Sequence, residues 1–148
     1  MSKYPKLNIA LEYLEAAIEE RELRQRYFAA MNLAGVAEEL LGKLIRANGD
    51  VDQMTEAVNR LNVIQKVGVE QLGWKKLSEK ELRKLLVRPK NSIKHMDSVA
   101  SENSAELFFE VEDESKWLIQ AAIRNLDILN IDYSNVVKEF VNKHAADV

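Results

Sequence analysis

Ala30-Met-Asn-Leu-Ala-Gly-Val-Ala-Glu-Glu-Leu-Leu-Gly-Lys-Leu-Ile45 decides the fold. Ala30, Leu33, Ala34, Ala37, Leu40, Leu41, Leu44 and Ile45 recur at three- and four-residue spacing, which makes one face of a helix apolar. Gly35 and Gly42 fall on nearly the same face and, with Ala34 and Ala37, let a neighbouring helix approach closely. Glycine inside a helix costs ~1 kcal/mol relative to alanine, and close packing is the natural offset. Of the acids Glu38 and Glu39, one is expected to be partly buried and hydrogen-bonded, the other exposed. The helix is expected to span about Glu22 to Ala47. Asn48-Gly49-Asp50 stops it, and Asp50 is a fair cap for the next helix.

The same periodicity extends in both directions. Leu7, Ala10, Leu11, Leu14, Ala17 and Ile18 predict a helix from about Leu7 to Glu20, with its glutamates mostly on a solvated face. Downstream, Met54, Val58, Leu61, Ile64, Val67 and Val69 are candidates for burial on a helix from about Val51 to Leu72. Ser78-Glu-Lys-Glu81 spells a capping box for a short helix carrying Leu82, Leu85 and Leu86. Pro89 has no N–H to donate, so it is expected to break or kink that helix and to open a new segment reaching Met96. Asp97 to Ser104 reads as a loop. Ala105 to Val111 reads as extended, a candidate edge of one short β-hairpin. Trp117, Leu118, Ala121, Ala122, Ile123, Leu126 and Leu129 mark a helix from about Asp113 to Leu129. Val136, Val137, Phe140 and Val141 mark a last one starting near Ser134. The sum is an all-α, up-and-down bundle of five to six helices in a single domain over residues 1–148.

Composition agrees. Five glycines and two prolines in 148 residues are too few turn signals for a many-stranded β fold. A 47% hydrophobic and 30% charged chain has the balance of a globular domain. No cysteine is present, which excludes disulfides, thiolate metal sites and cysteine nucleophiles. The N-terminal Met1-Ser-Lys-Tyr-Pro-Lys lacks the apolar run of a signal peptide, and no stretch approaches the ~20 residues of a membrane span. The expectation is a cytoplasmic protein that does not engage a membrane.

Function is written most densely between Lys75 and His95. Eight Lys/Arg face only Glu79 and Glu81 there, a net of +6 in a chain whose total is −3. One of the two histidines, His95, lies four residues after Asn91, so on a helix the two share a face from which both can reach one ligand. Arg88 and Lys90 enter from the turn before. A positive field around an imidazole suits an anion, above all a phosphate, with the histidine as acid or base. The plain alternative is a solvated basic face whose histidine touches only water. With a pI of about 5.5 the protein is not broadly basic, so any nucleic-acid contact is local and salt-sensitive. No Glu-x-x-His pair, His-Glu-x-x-His, glycine-rich phosphate loop or Gly-x-Ser-x-Gly occurs, and neither a metal nor a cofactor is expected. Trp74, Trp117, Phe108 and Phe109 read as core or interface residues rather than a base-stacking platform. His144 sits near a C-terminus expected to fray.

Two segments together resemble a known family. Ala30 to Ile45 resembles the Ala/Glu/Lys-patterned second helix of the HEPN superfamily (higher eukaryotes and prokaryotes nucleotide-binding), and Arg88 to His95 resembles that superfamily's Arg-x(4–6)-His signature. The resemblance implies a helical bundle, commonly dimeric. Many members are metal-independent endoribonucleases acting as toxins or antiviral effectors; others are inactive or bind nucleotides. In active members two signatures meet across the dimer. The histidine supports acid–base chemistry as the ribose 2′-hydroxyl attacks the adjacent phosphate, the arginine holds the phosphate, and a polar residue assists. Carried over, His95 is the acid/base residue and Asn91 the polar assistant. The commonest spacing puts Lys90 at the arginine position. Arg88 satisfies the longest spacing, but proline follows it. Lysine lacks the planar two-pronged geometry of guanidinium, a departure that bears on catalysis more than on fold.

Two readings follow. One is an RNA- or nucleotide-phosphate-binding homodimer with weak metal-independent RNA cleavage, in a defence or toxin–antitoxin setting. Its site is His95, Asn91, Lys90 and Arg88, with Lys84 and Lys94 as further nucleic-acid contacts. The other is a non-catalytic helical module that buries a copy of itself or a partner protein against the Gly35/Gly42 face and the Phe108/Phe109 stretch.

Overall fold

The computed structural model describes residues 2–95 and 110–147, excluding the side chains of Arg88, residues 90–95 and Asp147. It is an all-α bundle: α1 (Lys6–Glu22), α2 (Tyr27–Ala47), α3 (Gln53–Leu72), α4 (Glu79–His95), α5 (Val111–Ile128), α6 (Asn135–Lys143) and a terminal 3-10 turn (Ala145–Asp147). No strand occurs among the described residues. The expected loop at 97–104, and residues 105–109 of the expected extended stretch with Phe108 and Phe109, lie outside them. Val111, placed at the end of that stretch by its sequence, instead opens α5.

The apolar face of α2 is the centre of the molecule. Met31, Ala34, Ala37 and Leu41 pack with Ala10, Leu14, Ala17 and Ile18 of α1 and with Leu118, Ile119, Ala122, Ile123 and Leu126 of α5. Val137 and Phe140 of α6 close the same core. Small residues on α1 and α2 face one another, so these helices lie close and their larger neighbours interlock. Gly35 and Gly42 are buried within the chain. A Cβ at Gly42 would stand 3.0 Å from Asp52 Oδ2. At Gly42 that face is taken by Asp52, and with both glycines buried within the chain it is not the open partner-binding face expected from the glycine spacing.

Several boundaries differ from the sequence reading. Helix α1 runs on to Glu22, and α2 begins at Tyr27 rather than Glu22. The chain turns between them through Gln25, whose φ of 55° is left-handed. Asp52, not Asp50, caps α3: its Oδ1 accepts from the Thr55 N–H at 2.9 Å while its Oδ2 pairs with Arg46. Being fully buried, Asp52 holds the cap and the ion pair at once. Glu38 is buried beyond expectation, and Glu39 is half-buried.

The capping box forms as read. Ser78 Oγ accepts from the Glu81 N–H, and Glu81 Oε2 accepts from the Ser78 N–H, each at 3.2 Å. Pro89, however, neither ends α4 nor divides it in two. The donor it lacks would have met the carbonyl of Leu85, a half-exposed residue where water can substitute. One missing bond is then too little to stop a helix whose Leu82 is buried.

The third helix departs most from expectation. Met54 and Val58 are buried, but Ile64 and Val67 face outward. No described helix is long and apolar enough to cross a membrane.

Candidate functional site

The continuity of α4 fixes the register of the basic stretch. At about 100° per residue, Lys84, Arg88, Asn91 and His95 fall on one strip of the helix, within roughly 60° of arc. The opposite strip carries Leu82, Leu86 and Pro89, and Leu82 is buried. Arg88 thus lies one turn before Asn91 and two before His95 on the same face, with no break between. Lys90 and Lys94 fall on the adjoining side of the helix. Had Pro89 opened a separate segment, Arg88 would have lost this alignment. Lys84 is exposed. The neighbouring Arg83 is not part of the strip: its guanidinium donates to Thr55 Oγ1 at 2.8 Å and ties α4 to α3.

The other side of α4 packs against α2 and α3. Leu85, Leu86, Pro89, Glu114 and Trp117 line a groove of about 190 Å³. Glu114 is pushed above the usual carboxylate range, first by burial and then by the charge of Asp113.

The second histidine is better anchored than its place near the C-terminus suggests. His144 directly follows α6, with its ring 4.5 Å from that of Phe140. Its Nε2 lies 2.9 Å from Glu22 Oε1. Lys143 Nζ bonds the other carboxylate oxygen of Glu22, and Arg21 Nη1 reaches Glu22 Oε1 at 2.5 Å. Burial alone would raise the Glu22 pKa, but the hydrogen bonds from Lys143, His144 and Arg21 outweigh it and hold it at about 2. Arg21 also donates to Ser115 Oγ at 3.0 Å and to the Glu112 carbonyl at 3.2 Å. The group thus joins the ends of α1 and α6 to the start of α5. With Arg21, Lys143 and the His144 ring all committed to one carboxylate, the arrangement suits a clamp rather than a proton-transfer site. The available signal was the Phe140–His144 spacing of four on the strongly amphipathic α6, which keeps the ring against the bundle.

No protein-family model, curated protein or solved structure matches this chain. The functional reading therefore stands on the residues themselves. Among the described residues no group of three or more His, Asp or Glu is placed to hold a metal ion. The register of α4 thus sets cationic, amide and imidazole residue types along one strip of the helix, and a separate groove lies between α4 and α5. A guanidinium offers paired donors to phosphate oxygens, an amide adds a neutral donor, and an imidazole can exchange a proton.

Proposed function

We propose that this chain is a HEPN-like, cytoplasmic, homodimeric protein that binds the phosphates of RNA or of a nucleotide along the Lys84–Arg88–Asn91–His95 strip of α4. The observation that carries the reading is the uninterrupted α4, whose register aligns Arg88 with Asn91 and His95. Arg88 rather than Lys90 is then the phosphate holder, and Lys90 and Lys94 add charge from the side. In this reading the protein cleaves RNA weakly, in a defence or toxin–antitoxin role. His95 takes the proton of the ribose 2′-hydroxyl as its oxygen attacks phosphorus. The bond to the 5′-oxygen breaks, that oxygen takes a proton from the His95 imidazolium or from water, and a 2′,3′-cyclic phosphate remains. Arg88 neutralises charge gathering on the phosphoryl oxygens, and Asn91 donates to one of them.

The test is cleavage of a mixed-sequence RNA in EDTA across a salt series, wild type beside His95→Ala. The reading expects cleavage by the wild type, its loss in the variant, and binding that weakens as salt rises. Absence of both cleavage and salt-dependent binding in the wild type would retire it in favour of the interaction module. One observation favours that second reading: the outer face of α3 is apolar and exposed.

A further inference from the structure

Helix α3 is held on two sides. Met54, Ala57 and Val58 are buried in the bundle. Gln65 faces the α3–α4 connection, donating to the Leu77 carbonyl at 2.8 Å and accepting from the Leu77 N–H at 3.0 Å. On the remaining side stand Val63, Ile64 and Val67, which are 69%, 56% and 51% exposed. Leu72 and Trp74, at the C-terminal end of α3 and just past it, are 67% and 50% exposed but stand off this face. Single exposed apolar residues are ordinary, whereas a contiguous set marks an interface. Trp74 folds back on the end of α3. Gly73 turns the chain at a φ of 68°, the Trp74 N–H bonds the Gly68 carbonyl at 3.1 Å, and the indole lies over Gly68. A Cβ on Gly68 would come within 1.9 Å of the ring.

We infer that this face pairs α3 with α3 of a second copy of the chain, antiparallel, about a two-fold axis near Gln65. The charges on the helix single out that occupant. In this register Val63 meets Val67 of the partner subunit, and Arg60 meets Glu70 of the partner subunit. The symmetry makes each contact occur twice, as an isologous interface requires. Among the described residues Arg60 reaches only Glu56 within its own chain, at 4.0 Å, so it is poorly engaged there; Glu70 is exposed. The apolar centre supplies affinity and the flanking ion pairs set direction and register. A parallel pairing would bring like positions together, setting Arg60 near Arg60 of the partner subunit. The inference rests on the self-association in the proposed function and is independent of RNA binding.

Sedimentation velocity over a concentration series tests it, with circular dichroism to confirm folding. The wild type is expected to dimerise. Val67→Glu and, separately, Ile64→Lys should each raise the dimer dissociation constant at least tenfold while keeping helicity, because both positions are already in water in the monomer. Arg60→Glu alone should weaken the dimer, and adding Glu70→Arg should restore it. A wild type that stays monomeric, or a dimer indifferent to Val67→Glu and Ile64→Lys, would overturn the inference. Failure of the double charge reversal to restore what Arg60→Glu weakened would overturn the antiparallel register. RNA binding by the same proteins separates the two readings: losing it in His95→Ala with the dimer intact leaves this interface standing.

Discussion

Replacing Glu22 by glutamine keeps the shape of the clamp between α1 and α6 and removes its charge. In the wild type the carboxylate receives Arg21, Lys143 and His144 together, and its pKa falls from the usual 4.5 to about 2. Taken whole, that difference is worth about 3 kcal/mol at neutral pH, at 1.36 kcal/mol per pKa unit. Lys143 is 62% exposed, so solvent screening reduces the contribution to about 1–2 kcal/mol. In a domain of this size that corresponds to roughly 3–6 °C in melting temperature. The sign follows from the depressed pKa. The stabilisation is fully present above the unfolded carboxylate's pKa of about 4.5, and it is lost as pH falls through the folded value near 2. Thermal unfolding of wild type and Glu22→Gln should therefore show the full gap near neutrality, less than half of it by about pH 3, and almost none near pH 2. A gap that is absent at neutral pH, or one of constant size down to about pH 2, would refute the assignment of Glu22 as the clamp's charged centre.

Asn125 is fully buried; its Oδ1 accepts from the Gln53 N–H at 2.9 Å and its Nδ2 donates to the Glu38 carbonyl at 3.3 Å. Asn125→Ala leaves two backbone groups without these partners and should cost about 2–4 kcal/mol in urea unfolding, an amount that a surface residue could not reproduce. Gly68→Ala puts a methyl carbon where the Trp74 ring now lies. Because the indole is half-exposed and can swing away, the cost should be only about 1 kcal/mol. The readout is the tryptophan emission of a Trp117→Phe background, which should shift as Trp74 leaves Gly68.

How much of this was legible in the sequence depended on whether local chemistry or tertiary context decided the point. The stripe of α2 was legible because Ala34, Ala37 and Leu41 can serve only an apolar neighbour, and the box at Ser78 and Glu81 because both partners lie within one turn. The junction between α1 and α2 was not. Leu23 carries the apolar pattern past the true end of α1, and no glycine or proline announces the turn at Gln25. Asp50 and Asp52 are equally good caps by type; the choice fell to Asp52 because Arg46 and the space over Gly42 receive it. Ile64 and Val67 read as core in the sequence because periodicity shows that a face is apolar and not what covers it. In the candidate site, the residue types were legible but the alignment was not. Whether Arg88 shares a face with His95 turns on the chain crossing Pro89 as a helix, which depends on what holds the preceding turn in place.

The most direct test of the central claim is the salt-dependent affinity of a short single-stranded RNA for the wild type, Arg88→Ala and Lys90→Ala, read by fluorescence anisotropy. The account predicts that Arg88→Ala weakens binding at least tenfold and flattens the salt dependence by about one phosphate contact, while Lys90→Ala has a smaller effect. Equal affinities for wild type and Arg88→Ala, or a larger loss in Lys90→Ala, would contradict the assignment of the α4 strip as the phosphate site.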